Sequence, residues 1–268
     1  MFRECSERGE RMYGAVIGDV VGSVYEFAPI KTKDFQLIRP DSRFTDDTVL
    51  TVATIDALLN GKPYSSVYKE WYKKFPQAGY GASFVRWAQA EDNGPYNSWG
   101  NGSAMRVSPI GWYFETLAEV LDEARRSAEV THNHPEGIKG AQATAVAVYL
   151  ARKGQTKEQI KEYIERTFYY KLAEPLASIR AWYEFDVSCQ GSVPQAIRAF
   201  LEAKSFEDAI RNAVSLGGDS DTLACITGAI AEAYYREIPA LLKEEVTARL
   251  EPEMTVLLND FYNIQKIT

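Results

Sequence analysis

A chain of 268 residues, 46% hydrophobic and 25% charged, has the composition of a folded globular protein and excludes a disordered or fibrous one. Thirty Lys plus Arg against thirty-seven Asp plus Glu leave a net charge of −7, and a pI of about 5.1 argues against a broad nucleic-acid or anionic-membrane surface. An anionic ligand would therefore need a local pocket.

The N-terminus, MFRECSERGER, carries charges of both signs and has no apolar core of the kind a signal peptide needs. Cys5, Cys189 and Cys225 are odd in number and widely spaced, which reads as reduced thiols. Together these features lead us to expect a cytoplasmic protein. The most apolar early stretch, Gly14 to Val24, is interrupted by Asp19, and no run approaches the roughly 18 apolar residues of a membrane span. No repeat or linker divides the chain, so one domain over residues 1–268 is expected.

Apolar residues recur at helical spacing along most of the sequence. Rows run through Val49, Val52, Ala53 and Ala57, then Ile138, Ala141, Ala145 and Val148, then Leu223, Ile226, Ile230 and Ala233. Further helices are predicted at 11–24, 64–75, 80–90, 116–128, 156–169, 193–203, 205–215 and 239–250, while alternating strand patterns are scarce. The fold class is all-α. Gly14, Ala15, Gly18 and Gly22 make one predicted helix unusually small-faced, and Ala224, Gly228, Ala229 and Ala231 do the same for another. Each glycine inside a helix costs roughly 1 kcal/mol against alanine, so this pattern predicts helix axes that approach closely.

The candidate chemistry follows in chain order. Glu26 ends the first small-residue helix, where partial burial would raise its pKa and suit it to proton transfer; an exposed last-turn glutamate is the plainer reading. Asp19, inside an apolar stretch, reads as a hydrogen-bonded structural acid. Phe44-Thr45-Asp46-Asp47-Thr48 and Gly217-Gly218-Asp219-Ser220-Asp221-Thr222 each precede a helical row. Capping explains either cluster alone. It does not require carboxylates packed so densely, because their repulsion is unfavourable unless a cation absorbs it. The pairs share no helix face, which places them on turns. Hard oxygen donors without a thiolate or imidazole cluster favour Mg²⁺, Mn²⁺ or Ca²⁺ over zinc, and four Asp could hold two ions, so a binuclear Mg²⁺ or Mn²⁺ site is expected.

Trp99-Gly100-Asn101-Gly102-Ser103-Ala104-Met105-Arg106 is a glycine-rich turn whose amides could cradle a phosphate, although Asn-Gly turns are common in loops. Arg106 offers a fork to a phosphate or an acid, or forms a buried Arg–Asp pair. His132 and His134, the only two histidines, have no cysteine or third histidine near them, so substrate contacts are favoured over zinc.

Taken in order, GAVIGDVVGSVYEF at 14–27, FTDDT at 44–48, WGNGSAMRVSPIG at 99–111, THNHPEGIKGAQA at 131–143 and GGDSDTLACITGAIAEAYY at 217–235 resemble the ADP-ribosylglycohydrolase family. The resemblance implies an orthogonal multi-helix bundle with two Mg²⁺ or Mn²⁺ ions at the base of a cleft, ligated by Thr45, Asp46, Asp47, Asp219, Asp221 and Thr222. It implies that Glu26 lies near the metals, with Glu26, Asp47 and Asp221 the expected catalytic groups. Gly100, Asn101, Gly102, Ser103 and Met105 would face a diphosphate, and His132 and His134 would border a ribose pocket. The implied reaction is hydrolysis of the bond between C1″ of ADP-ribose and an acceptor, the partner being an ADP-ribosylated protein or a small ADP-ribose conjugate. Where relatives commonly have glycine before Ile-Pro, this chain has Arg236-Glu237-Ile238-Pro239. The alternative is a catalytically inactive ADP-ribose-binding or structural relative. A metal-dependent phosphohydrolase is disfavoured, because helical enzymes of that kind use several His–Asp ligands and this chain has only two histidines.

Overall fold

The computed structural model describes residues 12–91 and 94–267, so Cys5 and the first residue of the predicted 11–24 helix lie outside the described residues. The architecture is all-α, as expected: α1 (Gly14–Gly22), α2 (Asp46–Asn60), α3 (Tyr64–Lys74), α4 (Ala82–Gln89), α5 (Gly102–Met105), α6 (Ser108–Tyr113), α7 (Leu117–Glu129), α8 (Pro135–Arg152), α9 (Lys157–Phe168), α10 (Leu176–Trp182), α11 (Cys189–Glu202), α12 (Phe206–Val214), α13 (Ser220–Tyr235), α14 (Ala240–Thr247) and α15 (Pro252–Ile267). Among the described residues the one β-type contact is an isolated bridge between Gly100 and Ser188.

Local sequence explains most boundaries. Thr116 and Thr156 open α7 and α9 with reciprocal capping boxes to Glu119 and Gln159. The helix predicted at 193–203 begins four residues earlier, at Cys189, because the Ser188 side chain caps Gly191 N and the helix runs through Pro194. Helices α5, α6, α10 and α15 are additions to the predicted set. The first three are too short to show a period, and α15 carries a narrow stripe of Met254, Leu258 and Phe261 at spacings of four and three. At the end of α13, Arg236 occupies the left-handed region that glycine favours (φ 60°), and its Nη2 donates to Arg152 O at 2.9 Å.

The contact that organises the molecule is α1 against α13. An added Cβ would meet Gly228 O at 2.3 Å from Gly14, Ala224 O at 2.0 Å from Gly18, and Ser220 O at 2.4 Å from Gly22. One helix therefore advances four residues as the other retreats four, an antiparallel pairing along i±4 ridges with backbone against backbone. The buried Glu232 closes one end by accepting from Tyr13 N at 3.2 Å and Gly14 N at 2.8 Å, satisfying the start of α1. At the other end the C-terminus of α1 lies against the N-terminus of α13. Helix α8 packs on α13 and also on α5, α6, α7 and α11, which brings the glycine-rich turn to the same end of the molecule.

Candidate active site

The junction of these helix ends opens into a cavity of about 420 Å³, within the range of small-molecule sites. Its wall includes Glu26 from just beyond α1, Asp46 and Asp47 from the start of α2, and Asp219, Asp221 and Thr222 from the start of α13. The acids expected on turns stand largely within the first helical turn: Asp46 and Asp47 open α2, Asp221 is the second residue of α13, and Asp219 directly precedes that helix without a side-chain capping bond. They need not share a helix face, because the cavity lies off the helix ends and the N-termini of α2 and α13 converge on it.

Asp19 is the structural acid that builds this arrangement. Buried on α1, it accepts from Thr45 N at 2.9 Å, Thr45 Oγ1 at 2.7 Å and Thr48 N at 3.1 Å, and also from Thr48 Oγ1. It thereby caps α2 from a neighbouring helix and fixes the Thr45–Thr48 turn. Thr45 Oγ1 also accepts a 3.3 Å bond from Asp47 N.

Glu26, Asp219 and Asp221 each bring a carboxylate oxygen to within 4.8 Å of the others, a spacing an ion could bridge. Glu26, read from sequence as a proton carrier beside the metal set, thus belongs geometrically to that set. Asp47 is 2% exposed; its Oδ2 accepts from Thr222 Oγ1 at 3.3 Å and its Oδ1 has no hydrogen-bond partner. A buried carboxylate oxygen with no donor, surrounded by other carboxylates, is the environment a divalent cation completes. With oxygen as the donor element throughout, the residues fit Mg²⁺ or Mn²⁺.

Electrostatics agree. Burial, then the charge of Asp221, pushes Asp46 and Asp47 well above the usual carboxylate range; burial, then Asp219, does the same to Asp221. Burial raises Asp219 to about 6, and burial with the nearby Asp221 charge raises Glu26 to about 7. Each group binds its proton more tightly folded than unfolded. The metal-free fold therefore has its full share of this stability below the unfolded values, near pH 4, and loses it as pH rises through about 6 for Asp219 and about 7 for Glu26. Calorimetry in EDTA is expected to show Tm falling by roughly 5 °C between pH 5 and 8, and Mn²⁺ to flatten that slope. A Tm independent of pH in the chelated protein would show that the acids ionise without opposing one another.

The glycine-rich turn sits opposite. Gly100, Asn101, Gly102 and Met105 line the cavity. Two amides expected to cradle a phosphate are already used: Gly100 N donates to Ser98 Oγ at 3.1 Å and Asn101 N to Val187 O at 2.7 Å. The Asn101 side chain donates to Asp219 Oδ2 at 2.7 Å and so orients an acid of the cluster. Ser103 is fully buried behind the wall, its hydroxyl donating to Gly137 O at 2.8 Å. His134 stands away from the cavity as the cap of α8, with Nδ1 accepting from Glu136 N at 3.1 Å. His132 does line the cavity, and Gly100 and Gly102 leave room for its ring. Arg106 also lines the cavity and makes no Asp pair; its Nη2 donates to Ser127 O and Thr131 Oγ1, while Nε and Nη1 have no hydrogen-bond partner. Phe84, Tyr96, Ser98 and Val187 are also part of the wall and escape a reading of the sequence, since nothing local distinguishes a cavity aromatic from a core one.

The family model described as ADP-ribosylglycohydrolase matches residues 10–266. ADP-ribosylhydrolase ARH3 of Homo sapiens is 30% identical over 87% of this chain and 85% of its own length. ADP-ribosylarginine hydrolase Tri1 of Pseudomonas putida (strain GB-1) is 24% identical over 84% of this chain and 69% of its own length. A solved structure titled ADP-ribosylglycohydrolase-related protein complex superposes with a TM-score of 0.72 and 27% identity, covering 94% of this chain and 95% of that one. Among the described residues no helix is long and apolar enough to cross a membrane.

Proposed function

The chain belongs to the ADP-ribosylglycohydrolase family, and from that premise we propose that it hydrolyses the bond between C1″ of ADP-ribose and an acceptor, using the acidic cavity. The observation that carries this reading is the meeting of Glu26, Asp219 and Asp221, with Asp46 and Asp47 on the same wall. Asp46, Asp47, Asp219 and Asp221, with the hydroxyl oxygens of Thr45 and Thr222, would hold the Mg²⁺ or Mn²⁺ ions. When bound, these ions supply Lewis-acid polarisation and neutralise ligand oxygens that the acids would otherwise repel.

The remaining chemistry rests on the chain's own groups. Glu26, a half-buried carboxylate beside the acid cluster, takes a proton from the attacking water as its oxygen bonds to C1″. The C1″–acceptor bond breaks, and the acceptor leaves with the proton that Glu26 returns. Carboxylates of Asp47 and Asp221 face the positive charge that develops at C1″. Gly100, Asn101, Gly102 and Met105 shape the opposite wall for the diphosphate, and His132 donates to the ligand there.

Purified protein incubated with arginine-linked, serine-linked and O-acetyl ADP-ribose conjugates is expected to liberate ADP-ribose from at least one of them with Mg²⁺ or Mn²⁺ and from none in EDTA. Tight binding of ADP-ribose with no release from any conjugate would establish the silent, binding-only alternative. Release that EDTA leaves untouched would remove the cations from the reading.

A further inference from the structure

Behind the His132 ring lies a chain of hydrogen bonds that starts from a group able only to donate. Arg106 is fully buried, its guanidinium 4.3 Å over the Tyr68 ring, and its Nη2 donates to Ser127 O at 3.1 Å and to Thr131 Oγ1 at 2.8 Å. A guanidinium only donates, so the threonine oxygen is the acceptor in that contact. The Tyr96 phenol, kept protonated because burial raises it to about 12, lies beside the same hydroxyl. The Arg106 charge favours aligned donation along the chain, with the single proton of Thr131 Oγ1 donated to His132 Nδ1 at 2.7 Å. A ring nitrogen that accepts carries no proton, so the imidazole proton resides on Nε2.

That Nε2 faces the glycine-rich turn. A Cβ on Gly102 would lie 3.2 Å from it and one on Gly100 3.6 Å, and the ring lines the cavity. Burial, and then the Arg106 charge, both disfavour the imidazolium, so the ring stays neutral.

We propose that Arg106 and Thr131 are positioning residues that lock His132 in its neutral Nε2–H form, a fixed-polarity donor aimed at an acceptor oxygen of the bound ligand. The lock rests on the alignment of this chain under the Arg106 charge, and only the identity of the ligand rests on the reading of the cavity as an ADP-ribose site. Such a donor recognises a phosphate or hydroxyl oxygen without a titrating charge, and it withholds the acceptor nitrogen that the other tautomer would present.

The test is the tautomer itself, read in the full chain. With only two histidines present, ¹⁵N-histidine labelling and two-bond ¹H–¹⁵N correlation at pH 7 resolve both rings, and His132→Gln assigns the pair. The ligand-free protein is expected to show His132 with its proton on Nε2. Thr131→Val is expected to bring in the Nδ1–H form and weaken ADP-ribose binding about 10-fold, with Thr131→Ser restoring both. A proton on Nδ1 in the native protein, or a Thr131→Val ring unchanged in tautomer, overturns the lock. A role in packing alone would lower Tm in Thr131→Val without moving the ring proton. Because the spectrum needs no ligand, failure of the native protein to bind ADP-ribose would count against the proposed substrate while the lock is still decided.

Discussion

Asp221→Ala is expected to lower turnover of ADP-ribosyl conjugates by roughly 10³-fold while the helical circular-dichroism signal persists and the chelated protein is no less stable. Asp221 is buried at the second position of α13, its Oδ1 accepting from Thr222 N at 3.0 Å, and it is one of the three acids within ion-bridging distance. Removing it deletes an oxygen that a cation needs. It also deletes a charge that raises the pKa of Glu26, Asp46 and Asp47, so the metal-free fold is relieved of repulsion and loses little else. Opposite effects on activity and on metal-free stability distinguish a site acid from a structural one. Asp19 is the contrast, because its carboxylate caps α2 and its loss would expose Thr45 and Thr48 as unpaired donors. Glu26→Gln belongs beside Asp221→Ala in the same assay. If Glu26 carries the proton, turnover falls about 10²-fold or more while Mn²⁺ affinity holds. If Glu26 serves chiefly as a ligand, Mn²⁺ affinity falls with it. Near-normal turnover of either variant removes that residue from the mechanism.

Much of this site is legible in the sequence for a local reason. The density of carboxylates at Asp46-Asp47 and Asp219–Asp221 exceeds what capping needs, and that excess is visible without coordinates. The small residues of α1 and α13 recur every four positions, which is itself a packing instruction. Other features are invisible in one dimension. Glu232 caps a helix that starts 218 residues earlier, and Asn101 orients an acid 118 residues later. Nothing near either residue announces its partner. His134 and Ser103 look equivalent to His132 and Gly102 as members of the same motifs; only the direction of the chain, into a helix cap for one and under the turn for the other, separates them. In the sequence Arg106 presents only its charge. The structure uses it through geometry, stacked on Tyr68 and donating to a hydroxyl.

The α1–α13 contact makes a second strong prediction. Gly18→Ala is expected to destabilise the protein by about 3 kcal/mol, lowering Tm by roughly 10 °C, and to reduce turnover even at temperatures where the variant stays folded. The added Cβ would lie 2.0 Å from Ala224 O, 2.3 Å from its carbonyl carbon and 2.6 Å from Cys225 N, all backbone atoms in the middle of a helix. No flexible side chain can move aside, so the two axes must separate. Separation weakens the contact along its whole length, because Gly14 and Gly22 lie so close to α13 in the same register that a Cβ on either would stand 2.3 or 2.4 Å from its backbone. It also moves the C-terminal end of α1, which delivers Glu26, away from the N-terminal end of α13, which delivers Asp219 and Asp221. Loss of activity should therefore exceed what the unfolded fraction explains, and excess Mn²⁺ should recover part of it by drawing the acids back together. Gly94→Ala, where an added Cβ meets nothing within 4 Å, is the control and should change stability by less than about 0.5 kcal/mol. A Gly18→Ala protein with native Tm and native turnover would mean that the two helices are not held backbone to backbone, and that the cluster of acids is assembled by something other than their pairing.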